Sequence, residues 1–181
     1  TVKPSRIKKS WICIYRPDIA EKVLQHEIDS GFRKSKLQGR KFSVRLNGTS
    51  DLNWYNLINQ NPFVKFYDYT KNPNRTQTPN YHITFSYSSM QSTRIEHYKS
   101  AIAKGINIAI PVVRKDFDAA IKLEKCFSMD DTDLRFLDKG KGSFGILKAK
   151  KTKGEQIGKD EQFLLSLNDL KILINSLTNN H

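Results

Sequence analysis

The chain has 181 residues, near the usual size of one domain, and such a chain buries well over half of the surface its unfolded form exposes. Its 38% hydrophobic and 10% aromatic content is too high for a disordered protein, and no apolar run approaches the roughly 20 residues of a membrane-spanning helix. Thirty-one Lys and Arg against eighteen Asp and Glu give a formal net charge of +13, a field that attracts polyanions and makes nucleic acid the first partner to expect.

Residues 1–10 carry Lys3, Arg6, Lys8 and Lys9 with little apolar content and read as a basic arm ahead of an α/β core over 11–150. No secretory signal opens the chain, and the start at Thr1 without Met reads as a piece of something longer. Cys13 and Cys126 belong to no C-x-x-C or Cys/His cluster, which predicts reduced thiols in a cytoplasmic protein and no metal site.

From Pro17 the apolar positions Ile19, Ala20, Val23, Leu24, Ile28 and Phe32 recur at helical spacing, and Gly39 marks the end of that helix. Arg33, Lys34, Lys36, Arg40 and Lys41 form a dense basic flank there. Strands are predicted over 42–47, 63–69 and 81–87, with a short helix from Asp51 between the first two. The connection 70–80 consists of turn formers and holds Lys71 and Arg75. Ser92 or Thr93 can cap a helix that Gly105 stops, and the nearly all-apolar 106–113 then reads as a strand of a parallel sheet covered on both faces. Strands are also predicted at 134–138 and 144–150, the second followed by a Lys- and Gly-rich linker at 151–160. In 161–181 Phe163, Leu164, Leu167, Leu170, Ile174 and Leu177 repeat at three and four, the pattern of an amphipathic helix that docks on the core or on a second copy in a homodimer. The predicted class is α/β, with a mostly parallel sheet, open or a partial barrel, and helices packed outside.

Three polar clusters fall at predicted strand ends, where parallel α/β folds bind ligands. In RLNGTSD (45–51), Asn47, Ser50 and Asp51 can hydrogen-bond a polar substrate while Gly48 supplies a turn of positive φ; a plain strand-to-helix turn capped by Ser50 or Asp51 explains the same residues. Asp68 lies in FYDYT (66–70), placed to accept a proton as a general base or to begin an Asx turn. His82 precedes Thr84, Ser86 and Ser88, hydroxyls that share one face of the strand and line either a polar cavity or solvent. Asp51, Asp68 and His82 are the catalytic candidates; Asn47, Ser50, Lys71, Arg75 and Ser86, with Arg33, Lys34 and Arg40, are the binding candidates. The acidic run 130–133 lacks the Gly and terminal Glu of a calcium loop, and Arg135 reads as a structural partner for one of the four carboxylates of DDTDLRFLD (130–138).

The series VRLNGTSD (44–51), FYDYTK (66–71), NYHITFSYS (80–88), A-x-x-x-G-I-N-I-A (101–109) and TDLRFLD (132–138) resembles the gene product 88 family of phages and plasmids. The resemblance implies a mobile-element origin. It assigns no reaction or cofactor, and the cysteine-rich segment with which members often begin does not occur in this chain. Spacing and polar strand ends are also similar to radical-SAM-type partial barrels, whose cluster two distant cysteines cannot hold. Two functions follow as expectations: a protein that binds or acts on nucleic acid through its basic surface, and an enzyme for a small polar or phosphorylated substrate. No membrane partner is expected.

Overall fold

The structure is a computed structural model that describes residues 2–48, 50–88, 94–150 and 163–178. The chain forms two compact units: residues 1–46 with 53–66, and residues 47–52 with 67–181.

The first unit holds helices α1 (Val2–Tyr15), α2 (Pro17–Leu37) and α3 (Tyr55–Gln60), strand β1 (Ser43–Val44) and the start of β2 (Lys65–Thr70). The segment read as a basic arm is therefore helical. In α1, Ile7, Trp11, Ile14 and Tyr15 remain largely exposed. Pro17 opens α2 at its first turn, where its missing N–H costs no helical bond, and Asp18 there faces the positive end of the helix dipole. Gly39, at φ +62, closes the helix: the Arg40 N–H reaches back to the Ser35 carbonyl at 2.9 Å and the Gly39 N–H to that of Lys36 at 3.1 Å. This pairing satisfies carbonyls that the helix end would otherwise leave open. Paired side-chain amides, Gln25 to Asn61 at 3.0 Å and Asn61 to Gln25 at 2.7 Å, tie α2 to the end of α3.

The second unit holds most of the sheet: the rest of β2, then β3 (Tyr81–Ser86), β4 (Asn107–Val112), β5 (Cys126–Ser128) and β6 (Phe144–Lys148). Six strands run parallel in the order β1-β2-β3-β4-β6-β5, and the helices include α4 (Ile95–Ala103), α5 (Phe117–Ala120) and α6 (Leu167–Thr178). An α/β fold with a parallel sheet and a C-terminal helix is thus present, and β2 reaches β3 through the helix-free connection 71–80. Strand β6 lies between β4 and β5, which departs from the sequential strand order of a partial barrel.

Strand β3 shows how the sheet is covered. Phe85 meets Tyr98 of α4 edge-on at 5.5 Å, whereas residues of opposite parity, His82 and Thr84, look toward a 3-10 turn at Arg135–Leu137. The segment LRFLD is therefore not a strand. Arg135 is wholly buried, so its backbone turns to let the guanidinium bind carbonyls, and the strand that pairs with β6 at the sheet edge is Cys126–Ser128. Helix α6 packs on α4 and α5, and Leu170 and Leu177 are its buried residues. Its first turn is capped by Ser166, whose Oγ accepts the Asp169 N–H at 3.2 Å and donates to the Asp169 carboxylate at 2.6 Å. The 151–160 linker and the Ser92 or Thr93 cap lie outside the described residues.

One glycine of this unit yields a direct expectation. Gly142 sits at φ +62 with the Ile102 carbonyl where a Cβ would stand. Left-handed backbone alone costs an L-residue about 1–2 kcal/mol, and the overlap adds to it. Gly142→Ala should lower stability by about 2–3 kcal/mol, seen as an earlier midpoint in urea unfolding with an unchanged slope.

Candidate functional site

The strand ends of the second unit build a buried polar network on Asp68. Period two in β2 turns Phe66, Asp68 and Thr70 to one face, all three buried, and Asp68 is only 1% exposed. A carboxylate there needs donors, and it has them. The Asn47 N–H reaches Oδ1 at 2.8 Å, while the Asn47 side-chain amide and the Tyr81 hydroxyl reach Oδ2 at 3.1 Å each.

Asn47 is the hub of the 47–52 turn. Its amide oxygen accepts from Ser50 Oγ at 2.9 Å and from the Leu52 N–H at 3.0 Å, and its amide nitrogen donates to the Leu52 carbonyl at 3.1 Å. Asp51 then bridges to the end of β2. It accepts from Thr70 Oγ1 at 2.6 Å and the Lys71 N–H at 3.1 Å, and it pairs with the Arg75 guanidinium at 3.1 Å. Arg75, buried among these groups, also donates to the carbonyls of Asp51 and Leu52.

Of the residues proposed from sequence, Asn47, Ser50, Asp51, Asp68 and Arg75 therefore meet in one network, and Lys71 joins it through its backbone N–H while its side chain is exposed. Thr70 and Tyr81 belong to it as well. Sequence reading missed both, because Tyr81 reaches Asp68 only once β3 lies beside β2. Gly48 is not at positive φ, so the turn is held by the Asn47 bonds and not by a left-handed glycine. With Asp68 enclosed and both its oxygens engaged, this arrangement clamps the 47–52 turn to β2 and β3; Asp51, about a third exposed, is the carboxylate of the network that solvent reaches.

His82 and Ser86 stand on the other face of β3 from Tyr81. Burial, and secondarily the Arg135 guanidinium, hold the His82 imidazole below its ordinary value, so it is neutral at pH 7. Below it lies a second buried polar group. Arg135 donates Nη2 to the Met129 carbonyl at 3.0 Å and Nε to that of Asp133 at 3.3 Å, and its Nη1 stands 3.5 Å from Asp138. The partner that the sequence suggested for Arg135 is thus Asp138. Burial pushes the Asp138 carboxyl up to about 6 against the opposing pull of Arg135. Arg33, Lys34 and Arg40 lie in the other unit, exposed at the end of α2. Among the described residues no group of three or more His, Cys, Asp or Glu is placed to hold a metal ion, and no helix is long and apolar enough to cross a membrane.

The profile of one protein family, Gene product 88, matches residues 1–164. No curated protein and no solved structure matches the chain.

Proposed function

The chain belongs to the Gene product 88 family, and we propose that it binds nucleic acid through the basic flank at the end of α2. One observation carries this reading: Arg33, Lys34, Lys36, Arg40 and Lys41 are all exposed within nine residues, and none forms an ion pair among the described residues. Lys34 and Lys36 gain from the negative end of the helix dipole. Arg40 and Lys41 lie beyond the last turn, so the dipole does not account for them. Five unneutralised cations this close repel one another, and a phosphate backbone removes that repulsion while releasing its own counterions. The mobile-element origin implied by the family resemblance, and a cytoplasmic setting, accord with such a role.

Binding should be insensitive to sequence, because flexible cations contact phosphates without reading bases. Five phosphate contacts predict a log–log salt slope of about −4.5 on duplex DNA and about −3.5 on a single strand. Anisotropy titrations of a labelled oligonucleotide between 50 and 200 mM salt measure it. The triple change Arg33→Glu, Lys34→Glu, Arg40→Glu should weaken binding at least tenfold and flatten the slope. Affinity that ignores salt, or survives the charge reversal, would refute the reading.

A further inference from the structure

A cleft of about 470 Å³ opens at the carboxyl ends of β4 and β6, at the residues that follow β5. Its place follows from the topology. The chain passes from β4 through α5 to β5, skipping one position, and then returns to lay β6 between them. Helix α5 packs on α6, on the face that carries α4, whereas the return segment with its 3-10 turn packs on the His82 face of β3. Connections that leave β4 and β5, the two strands flanking β6, for opposite faces part the loops above the sheet, and open α/β sheets hold ligands outside the carboxyl ends of strands where the connections diverge in this way.

The lining joins three chemistries. Met129, Leu147 and Phe163 form an apolar wall, with Met129 buried and the Phe163 ring 49% exposed. Asp133 supplies a carboxylate with no hydrogen-bond or ion-pair partner among the described residues, although its own carbonyl is fixed by the buried Arg135. Lys150 supplies an exposed ammonium that is likewise unpaired among them. The volume lies within the 300–1,000 Å³ or so of small-molecule sites.

From these groups we infer that the cleft binds a nucleotide with an amino-bearing base. The flat base packs on Phe163 and Leu147, its amino edge donates to Asp133, and its phosphate meets Lys150. A polyamine would answer the carboxylate alone and inorganic phosphate the lysine alone, whereas a phosphorylated, amino-bearing ring answers all three. The inference does not depend on the α2 flank, which lies in the other unit.

Calorimetric titration of the full chain with CMP, GMP, UMP and inorganic phosphate tests it. CMP and GMP should bind about tenfold tighter than UMP, because uracil offers no amino group to the carboxylate. Asp133→Asn should erase that preference while leaving UMP affinity within twofold, and Phe163→Ala should weaken every nucleotide. Both side chains are exposed enough for the variants to fold, which circular dichroism checks. The triple reversal at Arg33, Lys34 and Arg40 should leave CMP binding unchanged, so loss of oligonucleotide binding there says nothing against the cleft. Absence of binding by CMP and GMP, equal affinity for phosphate alone, or a preference that survives Asp133→Asn would each overturn the assignment.

Discussion

Asp68→Ala should lower the free energy of unfolding by about 3–5 kcal/mol, as expected when one member of a buried charged network is removed. The change strips several donors of their acceptor at once, among them the Asn47 N–H, the Asn47 side-chain amide and the Tyr81 hydroxyl. At 1% exposure no water replaces the lost oxygens without opening the network, so the desolvation of each donor is felt in full. Asp68→Asn keeps one oxygen but, whichever way the amide lies, turns a donor toward one of the two donors of Asn47, and should cost about 1–3 kcal/mol. Tyr81→Phe removes the hydroxyl's bond to Asp68 and should cost about 1 kcal/mol. Equilibrium urea unfolding measures all three. A solvent-facing catalytic carboxylate would behave differently, with Asp68→Ala falling within about 0.5 kcal/mol of the parent. That outcome would show that the clamp does not hold the turn. It would also restore Asp68 as a candidate general base.

The parallel sheet was legible where burial on both faces leaves a continuous apolar run, as in Ile106 to Val113, and where a turn signal bounds a short strand, as at Gly39. Strand β5 was not, because three residues, Cys126 to Ser128, are too few for any periodicity to register. In its place LRFLD was read as a strand from its bulky residues, and nothing local to it signals that Arg135 is consumed by carbonyls six and two residues behind it. The start and end of α2 are legible from Pro17 and Gly39, but α1 reads as an arm, since its cations mask the helical spacing of its few apolar residues. Much of the strand-end cluster was visible as three polar motifs in series. Its bonding was not, because Tyr81, Thr70 and Arg75 acquire their partners only when the turn at 47–52 meets β2 and the 71–80 connection. The cleft was further still from local reading. Asp133 and Phe163 lie thirty positions apart, and it is the return of β6 between β4 and β5 that brings them to one opening.

Arg135→Ala should cost about 3–5 kcal/mol for the same physical reason as Asp68→Ala, and its effect should depend on pH through Asp138. The guanidinium is wholly buried, holds the carbonyls of Met129 and Asp133, and stands 3.5 Å from a carboxyl that burial raises to about 6. A carboxyl whose folded value lies above its ordinary 3.8 binds its proton more tightly in the folded state. Its contribution to stability is therefore fully present below pH 3.8 and is lost as pH rises through about 6. His82 acts in the opposite sense. Its depressed imidazole contributes stability above 6.5 that is lost as pH falls through its lower folded value. The two trends offset each other in the parent protein, and single variants separate them. Asp138→Asn should lose less stability than the parent as pH rises from 4 to 7, since the amide keeps the shape of the protonated carboxyl and has no proton to lose. His82→Gln should gain toward low pH, where the parent alone must charge a buried ring. In Arg135→Ala the carboxyl loses the cation that holds it down, so its apparent value should climb above 6 and the pH dependence should steepen. Urea midpoints for the four proteins from pH 4 to 8 measure these slopes. If Asp138→Asn tracks the parent across that range, the Asp138 carboxyl is not raised on folding.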